Sequence, residues 1–310
     1  MVLLTAADPT HLIIPIMENE ALMKTHSDEK TVVNPLISAG QLESLLSSEG
    51  VFVIDCRFKL EDVSYGRKAY QEGHIPGAVF LDLDEDLSSA IVPGETGRHP
   101  LPDPAVLEAR LRELGMRNSD HVVVYDDSSS LHAARAWWLL VWLGHSKVQV
   151  LDGGLAAWRN QGGKTTASMT VKAWPGNFVA QPVADMWVSS GEVLKHLDTP
   201  KWQLIDARAE PRFRGEHEPI DPVAGHIPGA ICLPCSGNVD EQGYFLPAAE
   251  LAKRFAALDS NGELVAYCGS GVTACHNILA AAIAGLELPR LYAGSWSEWI
   301  TDPLRPVAKV

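Results

Sequence analysis

The chain is short of positive charge. Its 310 residues carry 25 Lys and Arg against 39 Asp and Glu, a formal net charge of −14. That balance argues against a nucleic-acid binder and a protein held on an anionic membrane. A small anionic substrate stays possible only if cations are concentrated locally. Long apolar runs are also missing, with none approaching the ~20 residues of a spanning helix. The start, Met1 to Lys30, has one short apolar patch, His11 to Met17, broken by Pro15. It lacks a basic lead-in followed by a sustained apolar run, so no signal peptide is expected there. Cysteine is scarce and odd in number: Cys56, Cys232, Cys235, Cys268 and Cys275. That is no disulfide framework, and it points to a reducing compartment, by default the cytoplasm. Wholesale disorder is excluded by 46% hydrophobic and 21% charged residues.

What is present is a repeat. The length suggests two domains, and the text of the chain is written twice. Val51-Phe-Val-Ile-Asp55-Cys-Arg57 is followed by Gly73-His-Ile-Pro-Gly-Ala78. Later, Gln203-Leu-Ile-Asp206-Ala-Arg208 is followed by Gly225-His-Ile-Pro-Gly-Ala230. Two apolar runs follow in turn, His121 to Tyr125 and Glu263 to Tyr267. Each half closes on a Gly/Trp segment, Leu151 to Trp158 and Leu291 to Trp299. Matching blocks in the same order imply a duplicated domain.

Within each half, short β-rich runs alternate with helical stretches. Asp103 to Leu114 reads as a helix with Pro104 at its first position. Ala133 to Leu143 is apolar almost all round and is expected to be buried. Ala248 to Leu258 and Thr273 to Ala284 are helical, the latter stopped by Gly285. Short apolar strands between helices predict an α/β fold: two tandem domains, each a parallel sheet covered by helices on both faces. The expected boundaries are 1–33 for an N-terminal extension, 34–164 for domain one, 165–184 for a Gly/Pro-containing linker and 185–310 for domain two.

The chemistry concentrates at Cys268-Gly269-Ser270-Gly271-Val272-Thr273-Ala274. This segment joins a strand end to a helix start, where open α/β sheets place their sites. Gly269 and Gly271 let the backbone curl so that amide N–H groups converge, a nest for negative charge. The helix N-terminus adds partial positive charge. A cysteine there reacts as thiolate, and the same field stabilises a persulfide or an oxyanion. A buried packing cysteine is the bland alternative, and the flanking glycines speak against it. In domain one the equivalent position is Asp126, in Tyr125-Asp-Asp-Ser-Ser-Ser130. An aspartate cannot carry sulfur, so the active site is expected in domain two.

The tandem GHIPGA blocks, the Asp-x-Arg strand ends, the Cys268 loop and the closing Gly294-Ser-Trp-Ser-Glu-Trp299 resemble the two-domain rhodanese-type sulfurtransferases over about Asn34 to Pro303. The resemblance implies a cysteine that takes sulfane sulfur from a small anionic donor, becomes a persulfide and passes the sulfur on. The acceptor would be a thiol, cyanide or a thioredoxin-like protein; no cofactor or metal is implied. In that family an Arg-Lys pair after the cysteine accompanies thiosulfate, and Gly-Ser accompanies 3-mercaptopyruvate. Gly269-Ser270 therefore implies the 3-mercaptopyruvate type, with thiosulfate as the alternative donor. The loop residues Gly269, Gly271, Val272 and Thr273 would border the substrate. Arg212, in Pro211-Arg-Phe-Arg-Gly215, matches the first of two family arginines. The stretch that carries the second reads Glu216-His-Glu-Pro-Ile-Asp221 and has no arginine, leaving Arg214 or His217 as substitutes. Ser270 would help move the donor's proton, with His74 as its histidine and Asp62 as the acid. For His74 and His226 a turn-stabilising role is the plain alternative.

A cysteine phosphatase would need an arginine six residues after the nucleophile to clamp phosphoryl oxygens, and that position is Ala274. A non-catalytic binding module is the other class of reading, opposed by the retained loop cysteine. Cys232-Leu-Pro-Cys235 has CxxC spacing but no second pair or histidine cluster nearby for zinc. Cys275 could resolve an oxidised Cys268 or simply pack a helix. Trp137, Trp138, Trp142 and Trp158 are expected in the core, and Trp296 and Trp299 near the pocket.

Overall fold

The computed structural model describes residues 34–170, 174–197, 199, 202–258 and 262–310. The expected extension over residues 1–33 lies outside them. The first sheet contains β1 (Leu36–Ile37), β2 (Val51–Asp55), β3 (Val79–Phe80), β4 (His121–Tyr125) and β5 (Val148–Leu151). The second contains β6 (Trp187–Val188), β7 (Trp202–Asp206), β8 (Ile231–Cys232), β9 (Glu263–Tyr267) and β10 (Arg290–Tyr292). The order is β1-β5-β4-β2-β3 in one and β6-β10-β9-β7-β8 in the other. Every pairing is parallel. Register repeats as well, with Asp55 beside Tyr125 and Asp206 beside Tyr267.

The repeated motifs bind one another. Arg57 forms a buried pair with Asp55 at 2.7 Å and donates to the Gly73 carbonyl. Tyr125 donates its hydroxyl proton to Asp55 and accepts the Ile75 N–H. In the second half Arg208 pairs with Asp206 and donates to Gly225, while Tyr267 accepts from Ile227. Each Asp-x-Arg strand end thus clamps its own GHIPGA turn. This is structure shared by both halves.

The helices Pro104–Glu113, Ala133–Trp142, Ala248–Ala256 and Ala274–Ile283 lie where periodicity predicts them. Asp103 caps the first by accepting from Ala105 and Val106. Ala133–Trp142 and Ala274–Ile283 pack on each other. Trp138, Leu139, Cys275, Ile278 and Leu279 belong to one apolar cluster that spans both halves. Burying a side chain as large as Trp138 contributes about 2–3 kcal/mol, so this shared core fixes the two sheets relative to each other. His276 adds a polar tie, donating from Nε2 to the Ser129 carbonyl at 3.0 Å. The expected linker is laid along the first half: Gly176 N–H bonds to Arg112, Phe178 is buried, and Val183 N–H bonds to Trp142. Among the described residues no helix is long and apolar enough to cross a membrane.

Candidate active site

Cys268 follows β9 directly and is 1% exposed. Its loop is held from behind by the Gly/Trp segment. Ser295 Oγ accepts the Cys268 N–H at 3.0 Å, Trp296 N–H donates to the Cys268 carbonyl and Ser297 N–H to that of Gly269. Gly271 has φ +80°, and a Cβ there would sit 2.2 Å from the Ala293 carbonyl oxygen. That position therefore requires glycine. The turn brings the Gly271 N–H to 3.1 Å from Cys268 Sγ, a donor aimed at the sulfur. The helix Ala274–Ile283 starts just beyond it.

The first half supplies the rest of the site. Its segment Gly97-Arg98-His99 crosses the Gly294 turn so closely that a Cβ on Gly97 would lie 2.5 Å from the Gly294 oxygen. Arg98 N–H donates to Ser297 Oγ at 3.1 Å. This approach sets His99 Nδ1 2.7 Å from Ser270 Oγ. His99 Nε2 lies 3.2 Å from Asp84 Oδ1. Burial, with Arg135, Arg98 and His132 adding to it, pushes the His99 pKa down to about 3. The imidazole is therefore neutral near neutral pH, with Nδ1 accepting from the Ser270 hydroxyl and Nε2 facing the Asp84 carboxylate.

Arg135, fully buried on the helix Ala133–Trp142, reaches the carbonyls of Gly271 and His99, both at 3.3 Å. No carboxylate pairs with it among the described residues. Its charge therefore acts on both the cysteine loop and the histidine segment.

A cavity of about 170 Å³ opens over the sulfur, with Cys268, Ser270 and Arg212 on one side and Arg98, His99 and Phe58 on the other. A larger one of about 510 Å³, walled by Pro102, Trp142 and Trp187 among others, contains no thiol. Chemistry, not size, locates the site.

The structure brings Cys268, Gly269, Ser270, Val272, Thr273 and Arg212 to one cavity. It corrects the two expected partners of Ser270. His74 is fully buried against Tyr70, its ring nitrogens 2.7 and 3.2 Å from the carbonyls of Tyr70 and Ser168. His226 is held in the same manner on Phe213. Asp62 is exposed and accepts from its neighbour Ser64. The histidine that meets Ser270 is His99, and the carboxylate nearest its other ring nitrogen is Asp84. Arg214 also falls outside the cavity, paired with Glu216 and Glu210 at the surface. Trp296 and Trp299 are wholly buried core residues that do not line it. Among the described residues no cluster of His, Cys, Asp and Glu could hold a metal ion. In the first half, Asp126 fills its own loop, accepting from the N–H groups of Ser128, Ser130, His132 and Ala133.

The chain is similar to known proteins over most of its length. Residues 38–161 and 189–302 each match the rhodanese-like domain family. A probable 3-mercaptopyruvate sulfurtransferase of Pseudomonas aeruginosa is 55% identical over 278 residues, 88% of this chain and 97% of that protein. A putative thiosulfate sulfurtransferase, SseB of Mycobacterium tuberculosis, is 40% identical, covering 88% of this chain and 96% of its own. The crystal structure of SseA from Escherichia coli, a 3-mercaptopyruvate sulfotransferase, superposes with a TM-score of 0.75 at 34% identity. It covers 86% of this chain and 100% of SseA.

Proposed function

The chain belongs to the rhodanese-like sulfurtransferases, enzymes that move sulfane sulfur through a catalytic cysteine, and from that premise we propose that its donor is 3-mercaptopyruvate and its sulfur carrier Cys268. The observation that carries this reading is the chain Ser270–His99–Asp84 beside the Cys268 sulfur.

The reaction explains why such a chain is useful. The Cys268 thiolate attacks the sulfur of 3-mercaptopyruvate and an S–S bond forms. The C–S bond breaks, and its electron pair leaves on carbon as the enolate of pyruvate. The proton on the donor's thiol must reach that carbon, giving pyruvate and a persulfide anion. The Ser270 hydroxyl, oriented by neutral His99, is the group placed to relay it. Thiosulfate leaves as sulfite, which needs no proton, so the Ser270 relay would serve no purpose with it. The Gly271 N–H and the adjacent helix start favour the persulfide anion. A thiol, cyanide or a thioredoxin-like protein then accepts the sulfur, in keeping with a cytoplasmic enzyme.

Steady-state comparison of the two donors tests the proposal. 3-Mercaptopyruvate is expected to lead in kcat/KM by about tenfold or more. Faster turnover of thiosulfate at equal low concentrations would overturn the assignment.

A further inference from the structure

The stretch Glu216 to Asp221 places Ile220, not a cation, at the cavity wall. Two guanidinium groups converge on the loop all the same. A Cβ built on Gly269 would lie 3.0 Å from Arg98 Nη2 and 3.5 Å from Arg212 Nη2. Both arginines are tied to the same buried carboxylate: Arg98 Nη1 to Asp221 Oδ1, and Arg212 Nη2 to Asp221 Oδ2 at 3.0 Å. They differ in what they have left. The Nε–Nη2 edge is the side of a guanidinium that grips a carboxylate with two parallel bonds. In Arg212 that edge is taken by Glu218, at 3.0 Å from Nε and 2.8 Å from Nη2. In Arg98 the Nε is buried and has no hydrogen-bond partner, and Nη2 is directed at Gly269.

We propose that Arg98, contributed by the half that lacks a nucleophile, is the principal ligand of the donor's carboxylate, with Arg212 assisting from the other side. The inference rests on the reading of the donor as a keto acid and adds a specificity residue to it. Burial of Nε explains the design: an unsatisfied donor in a closed site favours a ligand that completes it. Asp221 holds the fork in place through Nη1, leaving Nε without a partner and Nη2 beside Gly269. The two halves must then be joined for donor recognition as well as for proton transfer.

The experiment uses the full chain with Arg98→Gln and Arg98→Lys. The readouts are KM and kcat for 3-mercaptopyruvate, and the inhibition constant of pyruvate, which carries the same carboxylate and no sulfur. Arg98→Gln is expected to raise KM at least tenfold with kcat within threefold, and to weaken pyruvate at least tenfold. Arg98→Lys, which keeps charge but loses the fork, is expected to fall between. It also provides the reading if the glutamine variant fails to fold. Pyruvate inhibition reports on Arg98 whichever donor the unmodified enzyme prefers, so the donor assignment and the ligand assignment fail separately. Unchanged KM and unchanged pyruvate inhibition in a folded Arg98 variant would overturn the proposal.

Discussion

Ser270 Oγ and His99 Nδ1 meet at 2.7 Å although 171 residues separate them in the chain. One belongs to the cysteine loop and the other to the half without a nucleophile. On the proposed mechanism this contact divides the work: the second copy carries the sulfur and the first helps move the proton.

Ser270→Ala and His99→Gln should therefore damage one donor selectively. With 3-mercaptopyruvate, kcat is expected to fall by about 10² or more, the usual worth of a positioned proton-transfer group. With thiosulfate, whose leaving group needs no proton, kcat should stay within about threefold. Parallel steady-state assays decide it, and equal losses for both donors would assign the pair a structural role only.

Sulfur should load on Cys268 alone. Burial pushes the thiols of Cys235 and Cys275 up to about 12 and that of Cys232 to about 11, so all three are protonated near neutral pH. Burial raises Cys56 as well. Intact-mass measurement after incubation with donor should show one added sulfur, removable by cyanide. Cys268→Ser should show none, and Cys275→Ser should still load. Labelled sulfur retained on Cys268→Ser would refute the assignment.

Much of this was readable in the sequence. Strand ends, the loop glycines and Cys268 obey local grammar: an apolar run, a tight turn, a helix start. The sheets followed from the repeat, because equal blocks in equal order have to fold alike. Arg212 and Ser270 follow from the family resemblance, which matches them within short motifs of the second half. His99, Asp84 and Arg98 did not, since only tertiary contact between the halves brings them to the loop. The repeated histidine drew attention to the wrong residue. A residue present in both copies, like His74 and His226, serves what both copies share, here a buried turn. The useful signal was the opposite one: where the first half has Arg98 and His99 in Gly97-Arg98-His99-Pro100, the second half has Tyr244 and Phe245 in Gly243-Tyr244-Phe245-Leu246. A one-sided active site should draw on such unrepeated residues.

Acid should loosen the contact between the halves through His276. Burial pushes its pKa down to about 4, and its ring is fixed as the neutral form. Nε2 donates to Ser129, and Nδ1 accepts from Asn238 Nδ2 at 3.2 Å. In the unfolded chain the same group titrates near 6.5. Below that value the unfolded state binds the proton first, so stability falls as pH drops from about 6.5 toward about 4. At about pH 5.5 the loss from this residue alone should reach about 1.4 kcal/mol. His276→Gln should be less stable than the parent at pH 7.5 and lack this part of the slope, so the gap between them narrows in acid. Urea denaturation at several pH values measures it; a gap that stays constant would remove His276 as the cause.

Changing the donor should take more than the loop. Replacing Gly269 and Ser270 by Arg and Lys would install the cation pair that accompanies thiosulfate in this family. The structure shows what such a change meets. A Cβ at residue 269 already comes within 3.0 Å of Arg98 Nη2, tighter than ordinary contact, and a third guanidinium would enter beside two others. Asp221 and Glu218 are fully engaged by the existing arginines and have no capacity to neutralise it. Like charges crowded in a half-buried site repel, and the new arginine would turn outward or displace Arg98. Gly269→Arg with Ser270→Lys is therefore expected to lose 3-mercaptopyruvate activity, because Ser270 is gone, while gaining less than about threefold with thiosulfate. Adding Arg98→Gln removes the clash and one charge, and the triple variant should then exceed the double variant on thiosulfate by about tenfold. Thiosulfate kcat/KM for the parent, the double and the triple variants decides the matter. A double variant already as active on thiosulfate as the triple would show that Arg98 does not obstruct the loop.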